Sequence, residues 1–228
     1  MKIEILYPEI CTLYGDKGNT MYLQKCLPDA EFVTTGLNEK PLFLKENIDM
    51  VYMCSMSEKS QELVLDRLMQ YKDEIAACMK DGKALFLLVG NSMELLGVTG
   101  LGVVPGMYSV RQTPNRFNTL IKAKFNDMTL IGYTSRFAHT YGIPDDMTFC
   151  KVEIGQGSNP DTMNEGICKN RVIATYIHGP LLIQNPDFVH YLLEKLDAPM
   201  KEIPFEAAMR KAYDVKLAEY GKPDLELS

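Results

Sequence analysis

The sequence predicts an α/β layer fold around a mostly parallel sheet, and three observations predict it. Short apolar runs bounded by polar residues recur through the N-terminal part of the chain, and a long amphipathic stretch separates two of them. The run Ala84 to Val89, Ala-Leu-Phe-Leu-Leu-Val, is apolar without alternation. A strand of that kind needs cover on both faces, which is the situation in a parallel sheet flanked by helices.

The elements follow in order. Lys2 to Tyr7 alternates and is closed by Pro8, Ala30 to Thr35 carries Phe and Val, and Asp49 to Cys54 and Ala84 to Val89 are compact apolar runs. All four read as strands. From Ser57 to Met79 the residues Val64, Leu68, Tyr71, Ile75 and Cys78 recur at three- and four-residue steps, and Asp81-Gly82 follows as a stop signal. This predicts one amphipathic helix.

Beyond Phe117 the pattern changes. Thr119 to Phe125, Thr129 to Tyr133, Cys150 to Ile154 and Val172 to Ile177 are strand-like and joined by loops rich in Gly, Asn and Asp, so this half is expected to be strand-rich and partly antiparallel. Phe188, Val189, Leu192, Leu193 and Leu196 form a helical stripe after Asn185-Pro186, and Phe205 to Tyr220 reads as a final helix. No repeat or low-complexity linker divides the chain, and 228 residues with 46% hydrophobic content suit a single domain over residues 1–228.

A net charge of -6 argues against nucleic acid as a partner, because phosphate binding draws on clustered Lys and Arg. The N-terminus lacks a basic segment followed by a long apolar one, and no apolar stretch approaches the roughly 18 to 20 residues of a membrane span, so the chain reads as cytoplasmic. Six cysteines lie far apart with no CxxC pair, which suits reduced thiols better than a zinc site or a disulfide framework.

Two segments carry chemistry. Lys83 to Gly97 reads as a buried strand, a tight turn at Gly90 and a short helix, the layout of a nucleophile elbow. Arg171 to Leu182 places His178 at the end of an apolar strand before Gly179-Pro180, as a base at the carboxyl edge of a sheet or as a histidine that caps a turn. Together with Leu6-Tyr-Pro-Glu-Ile-Cys-Thr-Leu-Tyr-Gly-Asp-Lys-Gly-Asn19, these segments resemble the class I glutamine amidotransferases, and the N-terminal string narrows the resemblance to the GatD/CobQ-like group.

The resemblance implies a flavodoxin-like three-layer sandwich, a glutaminase subunit acting beside a Mur-ligase-like synthetase in peptidoglycan amidation, glutamine or a related small molecule as ligand, and no cofactor or metal. In that family a cysteine thiolate attacks the amide, a histidine shuttles the proton and a glycine-rich loop helps form the oxyanion hole. Where the family reads approximately Ile-Cys-Gly-Gly-Tyr-Gln, an apolar pair and Gly, this chain reads Val89 to Gly97, which puts Gly90 at the nucleophile position. Glycine cannot attack a carbonyl, so the thioester route is closed there.

The glycine-rich loop is replaced by Cys54-Ser55-Met56-Ser57-Glu58, whose side chains are expected to fill the oxyanion space, and Thr134 to His139 departs from the family's Glu-Asn-His segment. His178 is retained. Two substitutes for the nucleophile stay open: Ser92, against ordinary bonding in a helix first turn, and Cys54, against a buried thiol at a strand end. Ligand-binding candidates are Asp16 at the carboxyl edge of the sheet, Ser55, Asn91, and Arg136 with His139 as an anion site. Against them stand a plain turn with Asn19 capping the next helix, and solvent-facing loop residues at 136 and 139. The competing functional readings are a non-catalytic binding or regulatory protein on the same scaffold, and an amidohydrolase with a substituted nucleophile.

Overall fold

The computed structural model describes residues 1–112, 114–222 and 225–226. The chain begins with β1 (Lys2–Leu6), α1 (Lys17–Cys26), β2 (Glu31–Thr35), β3 (Met50–Met53), α2 (Glu58–Met69), α3 (Lys72–Asp81) and β4 (Leu85–Val89). It continues through β5 (Tyr108–Arg111), β6 (Phe117–Phe125), β7 (Met128–Arg136), β8 (Ala138–Tyr141), β9 (Thr148–Ile154), β10 (Asn164–Lys169) and β11 (Val172–Thr175). Three helices close it: α4 (Leu181–Gln184), α5 (Pro186–Lys195) and α6 (Glu206–Glu219).

One large sheet runs β2-β1-β3-β4-β11-β10-β9-β6-β7. Its pairs from β2 to β11 are parallel, and those from β11 through β10, β9 and β6 to β7 are antiparallel. β5 and β8 form a separate antiparallel ribbon. β3 and β4 are buried along their whole length, as a central parallel pair covered on both faces should be. No helix among the described residues is long and apolar enough to cross a membrane.

The predicted helix over Ser57 to Met79 is two helices. Ser57 caps α2 by accepting the Ser60 N–H at 3.1 Å, and the break comes where Tyr71 N–H turns to Leu68 C=O at 2.9 Å while the Gln70 side chain takes Arg67 C=O at 2.9 Å. Those bonds satisfy carbonyls that a continuing helix would have used. Val64, Leu68, Ile75 and Met79 stay buried across the break, so the apolar stripe gives no sign of it. α3 ends on Gly82 at φ 66°, the left-handed stop that Asp81-Gly82 announced.

The last strand is not left bare. His178 exchanges backbone hydrogen bonds with Tyr133 at 2.9 and 3.3 Å, and the Asn185 carboxamide takes both Ile131 N–H (2.8 Å) and Ile131 C=O (2.9 Å). The outer edge of β7 is thereby paired, and the segment after β11 is drawn back across the sheet, carrying His178 with it.

Candidate functional site

The carboxyl ends of the adjacent strands β3, β4 and β11 lead into Ser55, Gly90 and His178. Gly90 turns the chain at φ +70°, where L side chains are strained. A Cβ at this position would stand 2.8 Å from Ser55 Cβ and nearer still to Ser55 Oγ, so the space a side chain at 90 would enter is filled. Ser55 is held there by donating to Asp16 Oδ2 at 2.9 Å, and Gly179 N–H reaches Asp16 Oδ1 at 3.4 Å. Asp16 is fully buried, and that burial pushes its carboxyl up to about 6 against the opposing hydrogen bonds from Ser55 and Gly179.

Asn91 faces the same loop. Its Oδ1 accepts Met56 N–H at 3.0 Å and its Nδ2 donates to Met56 C=O at 2.8 Å, so the carboxamide closes on that peptide as a neighbouring strand would. The Met56 amide is spent on this pairing. Ser92 is buried and its hydroxyl lies 2.8 Å from Val89 C=O and 3.2 Å from Met53 C=O. Cys54 is buried with its thiol on Cys11 C=O, and burial raises it well above the ordinary thiol range. Neither Ser92 nor Cys54 hydrogen-bonds His178.

His178 is sealed in. Its ring stacks on Tyr14 with centroids 4.3 Å apart and meets Tyr133 edge-on at 5.4 Å. Nε2 accepts Ser135 N–H at 3.0 Å, which leaves the proton of the neutral ring on Nδ1, an atom with no partner among the described residues. Burial lowers its pKa to about 4. The lone pair that would take up a proton is thus engaged by a backbone amide.

Asp16 lies just ahead of α1, and Asn19 sits inside that helix rather than capping it. Asn19 bonds Tyr52 OH at 3.0 Å and Leu182 N–H at 2.9 Å, tying α1 to β3 and α4. Arg136 and His139 are not loop residues exposed to solvent: they fall in β7 and β8, and Arg136 is 2% exposed. The Arg136 guanidinium lies over the Tyr176 ring at 4.3 Å and donates through Nη2 to Gly157 C=O at 2.6 Å, with Nε and Nη1 unpartnered among the described residues. His139 packs on Phe117 at 5.7 Å.

Two carboxyl groups, buried Glu165 and half-buried Glu94, share the Arg136 field. Glu165 accepts from Thr175 Oγ1 and Tyr176 N–H, each at 2.7 Å. Glu94 accepts from Tyr176 OH at 3.0 Å and Gln61 Nε2 at 2.9 Å. Burial raises both, while Arg136 acts to lower them. Glu94 also borders a cavity of about 310 Å³ whose walls include Gln61, Glu62, Ser109, Arg111 and Ala138. Residues from α2, the elbow turn and β5 meet only in the fold, so no local pattern pointed to them. The single available sign was Glu94, which stands where the family pattern has Gln.

No protein-family model matches the sequence. The chain is 25% identical over 236 aligned positions to the GatD subunit of the glutamine-hydrolyzing lipid II isoglutaminyl synthase of Streptococcus pneumoniae, covering 96% of this chain and 85% of that one. It is 26% identical over 206 positions to the same subunit from Staphylococcus aureus, covering 85% and 83%. Among solved structures it matches a glutamine amidotransferase from Thermotoga maritima with TM-score 0.52 and 14% identity over 94% of this chain and 92% of that one. A chain of PurLQS from the same organism matches with TM-score 0.54 and 13% identity over 78% and 86%. The structural likeness shows the glutamine amidotransferase fold, and over nearly the whole chain the sequence is similar to these GatD subunits.

Proposed function

We propose that this chain is a cytoplasmic amidotransferase-family subunit that does not hydrolyse glutamine and acts beside a Mur-ligase-type synthetase supplied with free ammonia. The observation that carries this reading is the Ser55 side chain in the space above Gly90. Hydrolysis by the covalent route needs an attacking side chain, a base with a free lone pair and donors for the oxyanion. Gly90 supplies no attacking atom, His178 Nε2 is engaged by Ser135, and the Met56 amide is engaged by Asn91. Both sequence relatives are named as subunits of a lipid II isoglutaminyl synthase, which supports a ligase-type partner for this chain.

The test measures ammonia release from glutamine by the protein alone and with its co-purified partner, alongside partner-dependent amidation fed with ammonium chloride. No release and ammonium-supported amidation are expected. Release that disappears in His178→Ala would sink the reading, and release abolished by Ser92→Ala or Cys54→Ala would name a substitute nucleophile. The cavity beside Glu94 favours a second reading, in which the scaffold binds a small molecule without transforming it.

A further inference from the structure

Four residues beyond Gly90, the same turn delivers Glu94 to the cavity of about 310 Å³, near the lower end of the sizes typical of small-molecule sites. Each Glu94 oxygen accepts one hydrogen bond from a neutral donor, Gln61 or Tyr176, and no ion pair reaches it among the described residues. At the rim Arg111 pairs with Glu62 at 2.9 Å and donates to Gln61 Oε1 at 3.3 Å. Burial raises the Glu94 carboxyl, and Arg136 acts to lower it as it does that of Glu165. The cavity walls therefore bring together two carboxyl groups, Glu62 and Glu94, and one guanidinium, Arg111.

Gln61 measures the spacing of the two groups a ligand would meet. Its single carboxamide touches Glu94 through Nε2 at 2.9 Å and Arg111 through Oε1 at 3.3 Å. A ligand group with an N–H donor and an oxygen acceptor about as close together as in an amide spans the same gap when the Gln61 side chain swings out, giving up its bond to Asn91 C=O as well. The head group of an α-amino acid has that form, with an ammonium for Glu94 and a carboxylate for Arg111. Once Arg111 turns to the ligand carboxylate, Glu62 at the exposed rim is released to a second cation.

We infer that this cavity binds a small diamino acid, with its α-ammonium on Glu94, its α-carboxylate on Arg111 and its side-chain ammonium at Glu62. Charges of two positives and one negative on the ligand answer two negatives and one positive on the walls. The inference rests on the ligand-binding reading of the scaffold and not on the loss of hydrolysis. Ammonia release from glutamine would overturn the proposed inactivity and leave this inference standing.

The experiment is isothermal titration calorimetry of the full chain with L-lysine, L-ornithine, L-norleucine and L-glutamine. Norleucine is lysine with a methyl group in place of the side-chain ammonium. The diamino acids are expected to bind about fivefold more tightly than norleucine, the size of an exposed charge pair. Glu62→Gln should erase that difference, and Glu94→Gln should weaken every α-amino acid by at least tenfold. Folding of each variant is checked by circular dichroism. If Glu94→Gln does not fold, Arg111→Gln on the exposed β5 ribbon is read instead, with the same loss expected. Equal binding of lysine and norleucine, tighter binding of glutamine than of lysine, or no binding of any of them overturns the inference.

Discussion

Gly90 and Glu94 share one turn and differ in what surrounds them. At Gly90 the volume is occupied by Ser55, tied to a buried Asp16; four residues on, Glu94 borders open space with no ion pair among the described residues. Ser55 fills the turn by packing, while the cavity beside it has polar walls and open volume. The proposed inactivity and the proposed binding rest on separate features, because the first depends on one filled position whereas the second depends on several walls.

The largest effect that would break this contrast is expected from Gly90→Cys. The new side chain must displace Ser55 and adopt a backbone angle of +70°, and such overpacking with local strain costs about 3 to 5 kcal/mol. Adding Ser55→Gly should restore more than half of that in urea unfolding, since the remaining neighbour, Ser55 Cα, is 3.3 Å from the new Cβ. A Gly90→Cys protein as stable as its parent would mean that Ser55 does not hold the space.

Acid titration sharpens the same region with a smaller effect. His178 titrates near 6.5 when unfolded and at about 4 in the fold, so its contribution is complete above pH 6.5 and is lost as pH falls toward 4. Asp16 has the opposite sign: its carboxyl is raised from 3.8 to about 6, so the native state gains relative to the unfolded one as pH falls from 6 toward 3.8. Each contribution is on the order of 3 kcal/mol and the two offset. Asp16→Asn should therefore lose stability steeply between pH 6.5 and 4, and His178→Gln should gain it. Parallel pH profiles for the two variants would contradict the assignment.

The smallest expected effect is Ser92→Ala. Removing a buried hydroxyl that bonds strand-end carbonyls should cost about 1 kcal/mol in thermal unfolding, with no change in amino-acid binding measured by calorimetry. A loss of ligand affinity would extend the cavity's influence back to the elbow and weaken the distinction between them.

How far all this could be read from the sequence follows from where each signal is stored. β1, β2, β3 and β4 announce themselves because an apolar run between polar ends is a local pattern, and the structure places each within a residue or so of the predicted span. The division of α2 from α3 is hidden because the buried stripe continues through it. β10 is hidden because Gly166 reads as a turn signal inside a strand; in the fold it takes φ 69° and lies close against Ala174 C=O. β5 and β8 are four residues each and largely polar. At the site, the loop after β3 carries the Ser55 side chain that faces Gly90, but the engagement of His178 by Ser135 joins residues 43 apart, and Glu94, Gln61 and Arg111 converge from three separate segments.

The contact between Ser55 and Gly90 also couples positions 55 and 90. A side chain at 90 and the present Ser55 side chain compete for one space. The pair therefore sets how much room this turn has, and a side chain gained at 90 alone arrives in a space that Ser55 already fills.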